Sequence, residues 1–295
     1  MAGSLRKLLI GLVTWRQGRS PQSVIMGFRS HVARSFDWRA PSNVAVFAIG
    51  SISLAIAAVM VVTGRPLALL WAPIQTFVLW AWLREVDPDH GWTAVASAVV
   101  GAVWVLSGQP IVSAAATLGL MVASRVVVRS TGRRPLTTDI IGMTAIAVGV
   151  GYTTAGWIGG LALAIALFLD DRLDDRARGL MRASALIAAM GVTVTAVIFD
   201  ALPKGPIGYS VPITLGASVV GLLLIARPVT PSSLVDARHK SPLDMRRLRL
   251  ARALSAVSLV AVALLIDDHA ADVWPWVVAL SFAVMSNEIT RARDR

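Results

Sequence analysis

Between residues 44 and 287 the chain passes through ten apolar stretches, about 44–63, 66–83, 91–107, 110–128, 139–153, 156–169, 183–199, 208–226, 250–266 and 273–287. Runs of this length and hydrophobicity suit the hydrocarbon layer of a bilayer, which takes helices of about 17–25 residues. Composition agrees: 56% of residues are hydrophobic, only 15% are charged, and mean hydropathy is +0.68. A soluble domain carries about 25% charged residues. The expected fold class is therefore all-α, a polytopic membrane protein of about ten transmembrane helices arranged as five helical hairpins. The fifth and sixth stretches are short, and the run from Gly149 to Gly156 between them predicts a tight turn joining two helices.

The connections alternate in charge. Of the 28 Lys and Arg residues, all but Arg65 and Lys204 fall in one alternating set: residues 1–43, Arg84, 125–134, 172–182, 227–252 and 291–295. Basic residues stay on the cytoplasmic side during insertion, which predicts both termini inside, an even number of spans and a multi-pass protein of the plasma membrane. This asymmetry also accounts for the net charge of +11 without nucleic acid. The partner it implies is a bilayer with anionic headgroups.

Trp82 and Trp92 are expected near the inner interface, and Trp104, Trp157, Trp274 and Trp276 near the outer one. Five segments follow. Residues 1–43 are a basic cytoplasmic segment with interfacial amphipathic helices, carrying Leu5, Leu8, Leu9 and Leu12 in one stripe and Ile25, Phe28, Val32 and Phe36 in another. Residues 44–226 form an eight-helix membrane region, 227–249 a basic cytoplasmic loop, 250–287 a terminal hairpin and 288–295 a basic tail. A protein partner would engage the N-terminal segment or the 227–249 loop.

Similar phrases open several even-numbered stretches: Gly64-Arg65-Pro66-Leu67, Gly108-Gln109-Pro110-Ile111 and Gly205-Pro206-Ile207. Glycine permits the tight turn and proline suits a first helical turn, so tandem hairpins are one reading and ordinary turn chemistry the other. Gly50, Ala55, Ala57, Ala58 and the pair Gly159-Gly160 would allow close helix contact.

Chemistry is sparse. With no cysteine and four scattered histidines, thiolate sites and cysteine nucleophiles are excluded, and a histidine metal centre is not expected. Gln75, Thr117, Thr144, Thr193, Thr195 and Ser218 are the polar residues at depth, each able to bond its own helix. No intramembrane carboxylate marks a proton path. The acids gather in Glu85-Val86-Asp87-Pro88-Asp89-His90 and Asp170-Asp171-Arg172-Leu173-Asp174-Asp175-Arg176, with a further group at Asp267, Asp268, His269 and Asp272.

The first two clusters follow the second and sixth stretches, a layout that resembles UbiA-type membrane prenyltransferases. Asp171 and Asp175 match that family's second motif, D-x-x-x-D. The first cluster departs from the pattern: no Asn-Asp opens it, and its acids are two residues apart. The resemblance implies Mg²⁺ held by Asp171, Asp175, Asp87 and Asp89, with a lipid diphosphate as substrate. The competing reading neutralises the second cluster through local Asp–Arg pairs with Arg172, Arg176 and Arg178. No P-loop, dinucleotide fingerprint or nucleophile elbow occurs.

Three functions are carried forward. The favoured one is a permease-like facilitator for a small solute or lipid, similar in format to drug/metabolite transporters, with transport and no cofactor expected and an enzyme less expected than not. The alternatives are the Mg²⁺-dependent transferase and a non-catalytic membrane subunit or scaffold.

Overall fold

The computed structural model describes residues 30–32, 36–109, 114–173, 179–202, 211–226, 234–235, 238–265 and 273–293. Ten α-helices lie among them: α1 (Pro41–Val62), α2 (Ala72–Val86), α3 (Gly91–Leu106), α4 (Ala114–Val128), α5 (Thr137–Val150), α6 (Gly156–Arg172), α7 (Gly179–Ile198), α8 (Val211–Ala226), α9 (Met245–Leu265) and α10 (Trp274–Arg293). Each predicted stretch falls on one helix, and the fifth and sixth are indeed separate. A 3₁₀ turn, Leu67–Trp71, leads into α2, and a two-stranded antiparallel hairpin, β1 (Leu234–Val235) and β2 (Arg238–Pro242), precedes α9.

Four helical segments are long and apolar enough to cross a membrane: Pro41–Val62, Leu67–Val86, Gly179–Ile198 and Met245–Leu265. Others are shorter. At 1.5 Å per residue, α5 reaches about 21 Å, less than a hydrocarbon core of about 30 Å.

The helices sort into an inner and an outer set. α2, α4, α6 and α9 pack on one another, with α4 and α9 each touching the other three. Around them, α1 and α3 flank α2, α5 and α7 flank α6, α8 lies on α9, and α10 lies on α3 and α8. The outer helices α1, α7 and α8 turn large apolar side chains outward, among them Phe47, Ile52, Val59, Leu186, Met190, Val197, Leu215 and Leu222.

The hairpin arrangement needs correction. Among the described residues, α1 packs on α2 and α5 on α6, as neighbours across a short turn should. But α3 with α4, α7 with α8, and α9 with α10 make at most marginal contact. Short connections do not force adjacency when another helix offers a better fit. Seven residues link α3 to α4, and at about 3.3 Å per residue that suffices to step past a helix some 8–10 Å away. What α4 finds is α6: a Cβ on Gly119 would lie 2.6 Å from the Gly159 backbone, and one on Gly159 would lie 2.5 Å from the Ala116 carbonyl. Gly160 meets the Ala147 carbonyl of α5 in the same way. The Gly159-Gly160 pair thus makes the close contacts expected of it, whereas Gly50 meets nothing within 4 Å.

The recurrent glycine phrase has a clear local cause. After α1, Gly64 takes φ +92° while its N–H donates to Val61 O and the Arg65 N–H donates to Met60 O, which ends the helix on two satisfied carbonyls. Gly108 repeats the left-handed conformation after α3 at φ +79°. Gly205 lies outside the described residues.

Two further expectations are corrected. Trp82 and Trp276 do not face an interface. Both rings are fully buried and meet edge to face at 5.5 Å. Their N–H groups are satisfied inside, Trp82 by Ser255 Oγ at 3.2 Å and Trp276 by Thr117 Oγ1 at 2.9 Å, which removes the polar handle that would draw an indole to headgroups. Residues 30–32 and 36–40 are not helical, so the predicted stripe through Val32 and Phe36 does not continue as an interfacial helix; both side chains pack on the protein core instead. His31 holds this segment in place. Its N–H donates to Asp139 Oδ2 at 2.9 Å, and its carbonyl accepts from Thr131 Oγ1 at 2.7 Å. The rest of the N-terminal segment, residues 1–29 and 33–35, lies outside the described residues.

The basic loop is also shorter than predicted. α9 begins at Met245 because Asp244 caps it, Oδ1 accepting from the N–H of Arg246 at 2.8 Å and of Arg247 at 3.4 Å.

A buried ionic layer at one end of the bundle

The C-terminal ends of α2, α4 and α6 meet the N-terminal end of α9. Here four carboxylates are buried almost completely: Glu85, Asp87, Asp170 and Asp171. Burying a carboxylate is costly unless it is paired and hydrogen-bonded, so its partners decide what the layer is.

Asp170 lies at the centre. Its Oδ2 accepts from Arg129 Nη2 at 2.7 Å and its Oδ1 from Arg247 Nη1 at 2.6 Å. Arg247 also donates to the Val127 carbonyl at 3.1 Å, tying α9 to the last turn of α4. Arg129 holds φ +52°, a left-handed conformation that costs a non-glycine residue about 1–2 kcal/mol. Next door, Asp171 is paired with Arg182 of α7.

On α2 the chemistry is softer. Glu85 Oε1 accepts from Arg125 Nε at 2.9 Å. Asp87 is held chiefly by hydroxyls and a histidine: Thr93 Oγ1 at 3.1 Å and Ser286 Oγ at 2.9 Å donate to Oδ2, and His90 Nδ1 lies 2.9 Å from Oδ1. Arg252 stands farther off at 3.9 Å and donates instead to the Val86 carbonyl at 3.0 Å. Four buried acids therefore face five arginines drawn from α4, α7 and α9.

The sequence-predicted metal residues are distributed as follows. Asp87 and Asp171 sit in different parts of this layer, one among α2, α3 and α10 and the other between α6 and α7. Asp89 is half-buried in the turn between α2 and α3. Asp175, with Asp174, Arg176 and Arg178, lies outside the described residues, as do Asp267, Asp268, His269 and Asp272. Among the described residues no three His, Asp or Glu side chains gather into a group that could hold a cation.

Neutralisation by arginine was anticipated for the second cluster, but the local partner Arg172 does not supply it. Arg172 lies over the Phe168 ring at 5.2 Å. Distant guanidiniums from Arg129 and Arg247 take its place because they arrive on helices that already pack against α6. The signal available in sequence was Arg252, a charge inside the predicted span 250–266. Such a group must find a buried partner or stay out of the core.

Above the layer, polar groups continue along the inner helices. Ser124 and Ser255 hydroxyls are 3.4 Å apart beneath Trp82, and Thr117 meets Trp276. Thr144 and Thr193 bond their own helices, to the Ile140 and Ala189 carbonyls. Gln75 does not: its side-chain amide is fully buried and neither its oxygen nor its nitrogen has a hydrogen-bond partner. No protein-family model, curated protein or solved structure matches the chain.

Proposed function

We propose that the chain is a multi-pass membrane protein, inserted with both termini in the cytoplasm, that works as a permease-like facilitator for a small solute or lipid. The observation that carries this reading is a run of buried polar groups along the inner four helices. Gln75, Thr117, Ser124, Ser255 and the ionic layer lie there, while α1, α7 and α8 present apolar side chains outward. In hydrocarbon a polar side chain is expensive, and it is tolerated where it lines a path or meets another polar group. The unpartnered amide of Gln75 is the group most in need of a visiting donor or acceptor. Ion pairs between different helices close the axis at the basic end, and exchanging such partners is a common way for packed helices to adopt two arrangements.

The cysteine-free sequence makes the test direct. Single cysteines replace Thr117, Ser124 or Ser255 in membranes, and a charged, membrane-impermeant thiol reagent is added from either side. A facilitator gives labelling in the folded parent itself, from one side or from both. Absence of labelling in the parent marks a sealed core and rejects the reading in favour of a scaffold.

A further inference from the structure

Beside the ionic layer, where α6 ends and α9 begins, is an open cleft of about 570 Å³ lined by Leu169, Arg172, Leu173, Met245, Arg246, Arg249, Leu250 and the cap residue Asp244. Its arginines differ from those of the layer. Arg172 lies over the Phe168 ring, Arg249 donates to the Met245 sulfur, and Arg246 engages through its backbone N–H; none of the three has an acidic partner among the described residues. The one carboxylate of the cleft, Asp244, caps α9 through Oδ1 and lies 3.9 Å from Arg247 through Oδ2, so three arginines against one acid leave the cleft basic. The helical period explains the division. Arg246, Arg249 and Leu250 share one face of α9, and Arg247 is turned about 100° from it toward Asp170.

Three exposed guanidiniums above a floor of leucines form an amphipathic receptor: the rim matches a phosphate and the floor matches hydrocarbon. Guanidinium forks bind phosphate oxygens in pairs, and basic recesses between helices at the cytoplasmic surface are suited to lipid headgroups. We propose that this cleft binds the phosphodiester headgroup of an anionic phospholipid, with an acyl chain laid along Leu169, Leu173 and Leu250. The inference rests on the membrane reading above but not on transport.

The test uses the full-length protein purified in a neutral detergent, titrated with dioleoylphosphatidylglycerol, dioleoylphosphatidylcholine or inorganic phosphate. Thermal unfolding and mass spectrometry of the intact complex report binding. The expected result is saturable binding and a raised unfolding midpoint with phosphatidylglycerol alone. In Arg172→Gln/Arg246→Gln/Arg249→Gln, its dissociation constant should rise on the order of 100-fold, since each basic residue near an anionic headgroup contributes roughly fivefold and the three factors multiply. Arg39→Gln/Arg65→Gln/Arg133→Gln, which removes three exposed arginines outside the cleft, serves as the charge-matched control and should bind lipid as the parent does. Equal binding of both lipids, equal loss in the control, or full reproduction of the effect by inorganic phosphate overturns the proposal. A chain that stays monodisperse without detergent would overturn the membrane reading instead, whatever the titration gives.

Discussion

α2 and α6 occupy equivalent places, each an inner helix flanked by two outer ones and each ending in buried acids, yet their carboxylates are held by different chemistry. Asp170 on α6 has two guanidiniums at 2.6 and 2.7 Å. Asp87 after α2 has two hydroxyls and an imidazole, with its arginine at 3.9 Å. The first is a charge lock across α4, α6 and α9, and removing one member strands the others in a buried site. The second is a hydrogen-bonded seat whose donors are mostly neutral and can be lost one at a time. Similar position in the bundle does not imply similar energetic weight.

That contrast is broken most directly by Asp170→Asn, which keeps the volume and leaves Arg129 and Arg247 facing a neutral amide. Breaking a buried pair by removing one partner costs about 3–5 kcal/mol. Thermal unfolding in detergent should show the largest fall of any single substitution in the layer. A variant as stable as the parent would mean that the arginines reach water and that no lock exists.

Asp87→Asn should fall well short of this, at about 1–3 kcal/mol, because the hydroxyls of Thr93 and Ser286 can still donate to the amide oxygen. If it equals Asp170→Asn in the same assay, Arg252 carries more of the burden than its distance suggests, and the two ends are alike after all.

The difference also shows what could be read from sequence. The ten helices were legible because apolar runs and basic connections depend on local composition. The cluster positions were legible because acids at the ends of apolar runs are conspicuous. Partner choice was not. Glu85 finds Arg125 and Asp170 finds Arg247, which are 40 and 77 residues away, through helix packing that itself turns on Gly119 and Gly159. Trp82 and Trp276 were misplaced for the same reason. An indole at the end of an apolar run looks like an interface anchor until Ser255 and Thr117 prove to be within its reach.

A smaller effect sharpens the α2 seat alone. Ser286→Ala removes the donor that α10 supplies to Asp87 among the described residues, at 2.9 Å, and leaves its other partners in place. The expected cost is about 1 kcal/mol, the net worth of one hydrogen bond. Since α10 is an outer helix, the loss should appear as faster amide exchange in α10 rather than as global unfolding.

The smallest expected effect concerns magnesium, and it bears on both ends together. A divalent ion would need Asp87 to abandon its hydroxyls and Asp171 to abandon Arg182. Hard cations bind where several oxygens are already free to converge. Millimolar Mg²⁺ should therefore leave the unfolding midpoint of the purified protein unchanged, and Asp171→Asn/Asp175→Asn should respond no differently. A Mg²⁺-dependent rise in the parent that disappears in this double variant would show that the carboxylates exchange guanidinium for metal. The two acidic ends would then act as one diphosphate-binding site, and the lock at Asp170 would be the resting state of a transferase.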